Sequence, residues 1–322
     1  MEAFFAGLGL GWNVLLFAAG ASLVIWGAGK FLNGAIFIAW AANLPKVVVG
    51  ATVVSLATTF PEFSVSFSAA WLGKPLLAVG NAVGSYICNI GLIIGLSAVV
   101  RAISVPRRIF RAQGLYALAA AAALAAVSMG DSLGRPVGTV FLLGTAGFLV
   151  YNWRLSLAED KSANDNVQFA EGEWLRLGSW FLLGALAVGL GSLLLVQTSA
   201  LIARHLGVSE LIIGLTIVAV GTSLPEICLA VTAMIKGHSD LSLGNILGAN
   251  VLNILWVVGS SALVQPLPVV RQNRVLDLPF TLLMIGVLLA VGLSQNRVTR
   301  WEGGLLVGIY ALYLALMGVF FL

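Results

Sequence analysis

Residues 48–98 read VVGATVVSLATTFPEFSVSFSAAWLGKPLLAVGNAVGSYICNIGLIIGLSA, and residues 212–262 read IIGLTIVAVGTSLPEICLAVTAMIKGHSDLSLGNILGANVLNILWVVGSSA. The two stretches align after a shift of 164 positions without a gap, and about a third of the positions are identical. The identities include a Pro–Glu pair, two asparagines and several glycines, which apolar composition alone would not repeat. The chain therefore contains an internal duplication.

The composition excludes an ordinary soluble globule. Of 322 residues, 60% are hydrophobic and 9% are charged, and the mean hydropathy is +1.02. Apolar runs near the ~20 residues needed to cross about 30 Å of hydrocarbon recur along the whole length. They predict ten membrane spans, at residues 3–28 with an amphipathic extension to about 42, 46–71, 75–100, 112–130, 136–154, 176–205, 210–235, 241–264, 277–294 and 303–322.

Ten spans divide evenly over the duplication, five to each half. Because five is odd, the halves must cross the membrane in opposite directions. The predicted fold is an all-α integral membrane protein with ten transmembrane helices arranged as two inverted five-helix repeats. The first repeat is residues 1–157, an acidic cytoplasmic linker follows at 158–173, and the second repeat is residues 174–322. Such an architecture places its binding site near mid-membrane, where the halves meet.

Lysine and arginine are unequally divided between the two predicted faces, with twelve of the seventeen on one side. The richer face is predicted to be cytoplasmic. Both termini then lie in the extracellular or periplasmic space, which suits a prokaryotic plasma membrane. Arginines at span ends account for the net charge of +4, so no nucleic-acid partner is expected. We expect a monomer in the lipid bilayer, without a cleaved leader.

Only two carboxylates fall deep inside the predicted spans, Glu62 and Glu226, and each follows a proline. A charge at the bilayer centre costs about 2.5–3.5 kcal/mol or more, so such a residue is a functional candidate. The structural alternative is a neutral glutamate hydrogen-bonded within the bundle, or one paired with a basic residue. No Lys or Arg is predicted at the same depth, and we therefore favour a functional role.

The prolines predict a broken helix before each glutamate. Pro61 and Pro225 have no N–H, so the backbone carbonyls of Ala57 and Gly221 lose their helical partner and can face a ligand. A hydroxyl four residues before each glutamate should lie one turn above that carboxylate, on the same face. A second hydroxyl lies at each break. These four hydroxyl residues are Thr58, Thr59, Thr222 and Ser223.

On the span that follows each break, three residues recur every four positions. The three are polar in the first half, and the second half repeats the pattern with an alanine in the middle. The structural alternative for the amides on these spans is an ordinary interhelical hydrogen bond. Ser55 and Ser66 have no repeated partner, so we expect their hydroxyls to bond the carbonyl one turn earlier. Paired glycines in the same spans predict close helix contact. The repeated positions are Asn81, Ser85 and Asn89 in the first half and Asn245, Ala249 and Asn253 in the second.

Carboxylate, amide, hydroxyl and carbonyl oxygens thus converge in the predicted site. An all-oxygen set with two negative charges suits Ca²⁺ or Na⁺ and offers no soft ligand for copper or zinc. Two carboxylates would neutralise one divalent ion. The ions are predicted as substrates, and no resident cofactor is expected.

The motifs resemble those of a known family. GTSLPE at 221–226, its variant ATTFPE at 57–62, and the strings GNAVGSYICNIG and GNILGANVLNI are similar to the two alpha-repeats of the calcium/cation antiporter superfamily, in its sodium/calcium exchanger branch. The resemblance implies that Glu62 and Glu226 ligate the transported Ca²⁺ and Na⁺. It also implies that the motif hydroxyls and carbonyls complete separate Na⁺ sites, and that the first two spans of the halves slide to alternate access.

Two departures from the family pattern concern the second repeat. Asn253 stands where many sodium/calcium exchangers have an aspartate, and Ala249 replaces a common serine. The proton-coupled calcium exchangers of the superfamily usually show GNAxE instead of GTSxPE, so the motif favours sodium. No segment resembles the large cytoplasmic calcium-sensing domain of animal members.

The sequence therefore predicts a secondary antiporter that exchanges Na⁺ for Ca²⁺. The alternatives are an H⁺/Ca²⁺ exchanger, a K⁺-dependent Na⁺/Ca²⁺ exchanger and, further away, a passive cation channel. An enzyme is not expected, because the chain has no HExxH and no GxSxG motif. A stoichiometry of three Na⁺ per Ca²⁺ is implied by the resemblance alone.

Overall fold

The computed structural model describes residues 5, 8–41, 49–105, 107–159, 173–235 and 239–321, and these are mostly helical. Several helices contain a short π-helical turn, which we include in the helix that carries it. The helices are α1 (Leu10–Ala41), α2 (49–58), α3 (Phe60–Trp71), α4 (Pro75–Val100), α5 (Arg107–Val127), α6 (Arg135–Glu159), α7 (Glu173–Leu206), α8 (Glu210–Thr222), α9 (Leu224–Ile235), α10 (239–264), α11 (Asn273–Gln295) and α12 (Arg300–Phe321).

Seven helical stretches in the described residues are long and apolar enough to cross a membrane. The protein is therefore a multi-pass integral membrane protein, as its composition predicts. Helix α8 is apolar but shorter than these. The seven stretches are Leu10–Gly34, Pro75–Val100, Phe110–Val127, Leu175–Leu206, Leu243–Val264, Asn273–Gln295 and Arg300–Phe321.

A helix break precedes each of the two motif glutamates. Helix α2 ends at Thr58 and α3 begins at Phe60, while α8 ends at Thr222 and α9 begins at Leu224. The predicted breaks are present, but each lies two residues before its proline, at Thr59 and Ser223. Proline is compatible with the first turn of a helix, where its missing N–H has no helical acceptor.

Helices α1 and α7 pack against each other through glycines. A Cβ atom at Gly27 would lie 2.9 Å from the Gly184 carbonyl oxygen, and one at Gly191 would lie 2.8 Å from the Gly20 carbonyl oxygen. Glycine is required here because the two backbones are in direct contact. Under the shift of 164 positions, Gly20 is equivalent to Gly184 and Gly27 is equivalent to Gly191. The contact between Gly27 and Gly184 is therefore equivalent to the contact between Gly191 and Gly20.

Two short strand pairs connect loops of the two halves. Strand β1 (Ile103–Ser104) pairs antiparallel with β4 (Arg297–Val298), and β2 (Ser132–Leu133) pairs with β3 (Leu267–Pro268). The same shift of 164 converts β1 into β3, and a shift of 165 converts β2 into β4, so the repeat exchanges the two pairings. A two-fold relation between the halves would produce this pattern.

The boundaries of the first predicted span and of the predicted linker can be compared with the described residues. Within the first predicted span, 3–28 with its extension to about 42, the described residues Leu10–Ala41 form one continuous helix, α1. Of the predicted linker, residues 160–172 lie outside the described residues; α6 extends to Glu159 and α7 begins at Glu173. The domain boundaries at 157 and 174 stay a prediction.

Candidate cation site

The two motif glutamates lie in one buried site, on helices from different halves. Glu62 on α3 is 0% exposed and Glu226 on α9 is 1% exposed, and their carboxylates are close enough to interact electrostatically. Ser223 Oγ, from the break of the second half, donates a hydrogen bond to Glu62 Oε1 at 3.1 Å. Each half therefore contributes one carboxylate to a common centre.

The motif hydroxyls face the glutamate of the opposite half. Thr222 lies beside Glu62, and Thr58 lies beside Glu226. The prediction that each hydroxyl also lies one turn above its own carboxylate stays a prediction. The breaks at Thr59 and Ser223 lie between each hydroxyl residue and its own glutamate.

Several buried oxygens at this centre have no hydrogen-bond partner among the described residues: Glu62 Oε2, both carboxylate oxygens of Glu226, and Thr59 Oγ1. Within the described part of the chain, no lysine or arginine pairs with either carboxylate. Buried polar atoms are usually satisfied, and buried carboxylates are costly without a countercharge. The arrangement therefore favours a cation at these oxygens.

Asn81 joins the break regions of both halves. Its Nδ2 donates to the Glu62 backbone carbonyl at 3.1 Å and to Ser66 Oγ at 2.9 Å, and its Oδ1 accepts from Thr222 Oγ1 at 3.0 Å. Ser66 Oγ in turn donates to the Ala78 carbonyl at 3.2 Å. The expected local bond for Ser66 is wrong, because its hydroxyl connects α3 to α4.

Two further hydroxyls make bonds between helices. Ser55 Oγ donates to Asn245 Oδ1 at 3.1 Å, so its expected local bond is also wrong. Ser85 Oγ lies 3.4 Å from Thr222 Oγ1 and donates to the Ala219 carbonyl at 3.4 Å. Ala249, at the position equivalent to Ser85, offers no such hydroxyl near Thr58. The two sides of the site are therefore chemically unequal.

Asn89 and Asn253 are fully buried, and each begins a π-helical turn, Asn89–Ile94 in α4 and Asn253–Val258 in α10. Asn89 Nδ2 donates to Asn250 Oδ1 at 2.9 Å. Asn89 Oδ1 and both polar atoms of the Asn253 side chain have no partner among the described residues. Single π-helical turns occur often at functional sites.

The predicted carbonyl ligands lie in the last turn before each break. Ala57 is buried near the end of α2, and Gly221 is half-buried near the end of α8. Pro61 and Pro225 cannot donate to these two carbonyls. Each predicted carbonyl ligand directly precedes a hydroxyl residue of the site in the sequence: Ala57 precedes Thr58, and Gly221 precedes Thr222.

Glycines on α4 and α10 allow the ligand-bearing helices to approach the breaks. A Cβ atom added at Gly80 would lie 2.5 Å from the Leu211 carbonyl oxygen, and one added at Gly84 would lie 2.6 Å from the Leu215 carbonyl oxygen. At Gly248 it would lie 2.7 Å from Ser55 Oγ. The predicted close contact is confirmed at these three glycines.

Asp277 is a third buried carboxylate; it is the first residue of the predicted span 277–294, so the statement that only Glu62 and Glu226 lie deep inside the spans stays a prediction. Asp277 is 0% exposed at the start of α11. Asp277 Oδ1 accepts from Tyr313 Oη at 3.0 Å and from Gln272 Nε2 at 3.4 Å, and Oδ2 accepts from Asn273 Nδ2 at 2.9 Å. Unlike Glu226, it has a hydrogen bond to each oxygen, which indicates a structural role.

Sequence reasoning also missed Asn250, although it lies in the repeated string GNILGANVLNI. Its position in the first half is occupied by Tyr86, so the comparison of the repeats gave no identity there. Asn250 and Asn253 are three positions apart, a spacing that indicates the same helix face. That spacing was the available signal.

A multi-pass helical membrane protein that buries two carboxylates among oxygen donors fits the class of cation transporters. The family model described as "Sodium/calcium exchanger protein" matches residues 12–154 and 177–319. The chain belongs to this family, as its motifs predict, and cation/Ca²⁺ antiport is the activity of its class. The short interval between the matched segments leaves no room for a large regulatory domain.

Individual relatives agree with the family. The inner membrane protein YrbG of Escherichia coli is 32% identical over 258 residues, which cover 78% of this chain and 79% of YrbG. The sodium/calcium exchanger MaX1 of Methanosarcina acetivorans is 26% identical over 344 residues, 95% of this chain and 98% of MaX1. A solved structure of the sodium-calcium exchanger NCX_Mj, soaked with 10 mM Na⁺ and zero Ca²⁺, has a TM-score of 0.69 and 29% identity, covering 95% of this chain and 99% of that one.

Proposed function

We propose that this protein is a secondary antiporter that exchanges Na⁺ for Ca²⁺ by alternating access at one site near the middle of the membrane. One observation carries the proposal: Glu62 and Glu226, from different halves, are buried together with unpartnered oxygens and without a basic partner among the described residues. Two carboxylates balance one Ca²⁺ in charge. The names of MaX1 and NCX_Mj support the choice of ions.

The proposed Ca²⁺ ligands are the two carboxylates, with amide oxygens from Asn89 and Asn253. Ca²⁺ takes six to eight oxygen ligands, commonly carboxylates and amide carbonyls, in a flexible geometry. Asn253 is neutral, so the charge of the centre comes from Glu62 and Glu226 alone. No group of three or more His, Cys, Asp or Glu that could hold a metal occurs among the described residues, which leaves amides and hydroxyls to complete the shell.

The proposed Na⁺ sites use neutral oxygens at the two breaks. Hydroxyls and backbone carbonyls suit a hard monovalent ion, which needs less negative charge than Ca²⁺. With three Na⁺ exchanged per Ca²⁺, one net charge moves per cycle, worth about 2.3 kcal/mol per 100 mV. The residues proposed for these sites are Thr58, Thr59, Thr222, Ser223 and Ser85, with the carbonyls of Ala57 and Gly221.

We further propose ten transmembrane spans in two inverted five-helix repeats, with both termini extracellular or periplasmic and the protein acting as a monomer. The exchanged glycine contacts and strand pairings support the repeat. Helices α1 and α7 meet backbone to backbone at Gly20, Gly27, Gly184 and Gly191. We propose that this pair slides past the site as a unit, a shear motion of packed helices.

Two other couplings remain as alternatives within the family. Buried glutamates could carry protons, which would give H⁺/Ca²⁺ exchange, and K⁺ could accompany Ca²⁺. The GTSLPE motif favours Na⁺ over H⁺. A passive channel would conduct without dependence on a counter-ion.

The test is uptake of radioactive calcium into proteoliposomes that contain the purified protein. Vesicles loaded with Na⁺, with K⁺, or with choline at acid internal pH are diluted into Na⁺-free medium at a clamped membrane potential. We expect uptake from Na⁺-loaded vesicles only. Uptake driven by internal acid alone would establish H⁺/Ca²⁺ exchange instead, and equal uptake under all conditions would indicate a channel.

A further inference from the structure

Asn250 forms a hydrogen bond with Asn89, one of the proposed Ca²⁺ ligands. It lies on α10, is fully buried, and uses its Oδ1 to accept the hydrogen bond from Asn89 Nδ2. Its Nδ2 has no partner among the described residues. An amide N–H is a donor and cannot coordinate a cation. The Asn250 side chain therefore meets Asn89 through its oxygen, which accepts this hydrogen bond.

The bond determines which way the Asn89 amide points. The oxygen and nitrogen of a carboxamide lie on opposite sides of one planar group. Holding Asn89 Nδ2 at Asn250 therefore directs Asn89 Oδ1 away from Asn250. That oxygen is fully buried and has no partner among the described residues. An unsatisfied buried acceptor is costly unless a ligand meets it.

We propose that Asn250 is a positioning residue that holds the Asn89 amide so that Asn89 Oδ1 faces the transported cation. The inference rests on the proposed cation site and adds a residue outside its ligand set. Preorienting a ligand dipole lowers the cost of ordering it when the ion binds. Asn250 should therefore set the affinity for Ca²⁺ rather than the rate of transport.

Among the described residues, Asn253 has no partner equivalent to the one that Asn250 provides for Asn89. Tyr86 occupies the position equivalent to Asn250, and its hydroxyl donates to the Ala117 carbonyl on α5 at 3.0 Å. The Asn253 amide is correspondingly without a partner in the described part of the chain. Only one of the two amides is thus held in a fixed orientation.

The principal test is Asn250→Leu, which removes the acceptor at similar side-chain volume. From the usual value of one hydrogen bond we expect the KM for Ca²⁺ in Na⁺-loaded proteoliposomes to rise about 3- to 10-fold, with the maximal rate changed by less than about two-fold. An unchanged KM, or a fall in the maximal rate alone, would overturn the proposal. Asn250→Ala gives the same test if the leucine variant does not fold.

A double-mutant cycle separates positioning from general packing. In an Asn89→Ala background, Asn250→Leu should raise the KM by less than about two-fold, since the group that it orients is gone. Fully additive effects would contradict a role through Asn89. The matched control is Asn152→Leu, which removes another buried amide pair, Gln113 Nε2 to Asn152 Oδ1 at 3.1 Å, and should leave the KM unchanged.

Measuring Glu62→Gln in the same vesicles separates a failure of the proposed cation site from a failure of the positioning role of Asn250. Full uptake by this variant would refute the cation site, and the role of Asn250 with it. If Glu62→Gln is inactive while Asn250→Leu keeps the wild-type KM, the site stands and only the positioning role is refuted.

Discussion

The two halves of the site carry nearly the same side chains but hold them differently. Glu62 and Asn89, which we call the anchored pair, each have a hydrogen bond to a side chain of the second half. Glu226 and Asn253, which we call the unpartnered pair, have no side-chain hydrogen bond within the described residues. A duplicated motif thus has one side whose ligands are hydrogen-bonded to the opposite half and one side whose ligands are unpartnered within the described residues.

The difference arises from the residues that hydrogen-bond to the ligands rather than from the ligands themselves. Ser223 bonds Glu62, whereas Thr59, at the equivalent position in the first half, leaves its hydroxyl unpartnered. Asn250 bonds Asn89, whereas Tyr86 at its equivalent position bonds α5. The two sides thus differ at Ser223 and Thr59, at Asn250 and Tyr86, and at Ser85 and Ala249. A fixed side can define the site while the other side adapts to ions of different size and charge.

The largest effect is expected from Glu62→Gln and Glu226→Gln, one in each pair. Each change removes half of the negative charge that balances Ca²⁺, and calcium uptake by Na⁺-loaded proteoliposomes should fall at least about 100-fold. If only one of the two variants loses activity, the ion is bound by one half alone, and the comparison of the halves fails.

The matched control for these variants is Glu210→Gln. Glu210 pairs with Lys74 at 3.4 Å at the start of α8, and the Glu210 side chain is 21% exposed. Its charge is balanced by a lysine of the protein and lies outside the proposed cation site. Uptake by this variant should stay within about two-fold of the wild type.

The next effect is expected at the anchor of Glu62. Ser223→Ala removes the hydroxyl that donates to Glu62 Oε1. A hydrogen bond to a charged group contributes about 1.5–3 kcal/mol, so the KM for Ca²⁺ should rise about 10-fold or more. Ser192→Ala, which removes a buried hydroxyl bonded only to the Val188 carbonyl of its own helix α7, should leave the KM unchanged.

The sequence predicts those features of the fold that depend on local pattern. The helix breaks follow from proline chemistry, and the close contacts follow from glycines at helical spacing, so both could be read from the repeats. The burial of Glu62 and Glu226 follows from the apolar runs around them. The Ca²⁺-compatible donor set follows from residue type alone.

The remaining features depend on which helices meet. Ser223 bonds Glu62, and Thr58 lies beside Glu226, because the two halves meet at the breaks, and no local spacing reports that. Asp277 lies beside polar neighbours such as Arg274 and therefore resembles a loop residue. It is buried because Tyr313 reaches it from α12, thirty-six residues further along the chain.

A smaller effect is expected for the hydroxyl on the unpartnered side. Thr59→Ala removes an oxygen that makes no bond to Glu226, so the KM for Ca²⁺ should change by less than about two-fold. As a proposed Na⁺ ligand, Thr59 should instead affect the internal Na⁺ needed for half-maximal uptake, which we expect to rise about three-fold. A Ca²⁺ effect equal to that of Ser223→Ala would mean that both glutamates are anchored, and would remove the asymmetry.

The smallest effect on exchange is expected at Asp277, the buried carboxylate whose two oxygens both accept hydrogen bonds. Asp277→Asn replaces one acceptor with a donor that faces Asn273 Nδ2 or Tyr313 Oη, and should cost about 1–3 kcal/mol of stability. The midpoint of thermal unfolding in detergent should fall, while the KM for Ca²⁺ stays within about two-fold. A folded Asp277→Asn protein without exchange would place this carboxylate in the ion pathway. Unpartnered oxygens would then no longer distinguish the cation-binding carboxylates of Glu62 and Glu226 from a structural one.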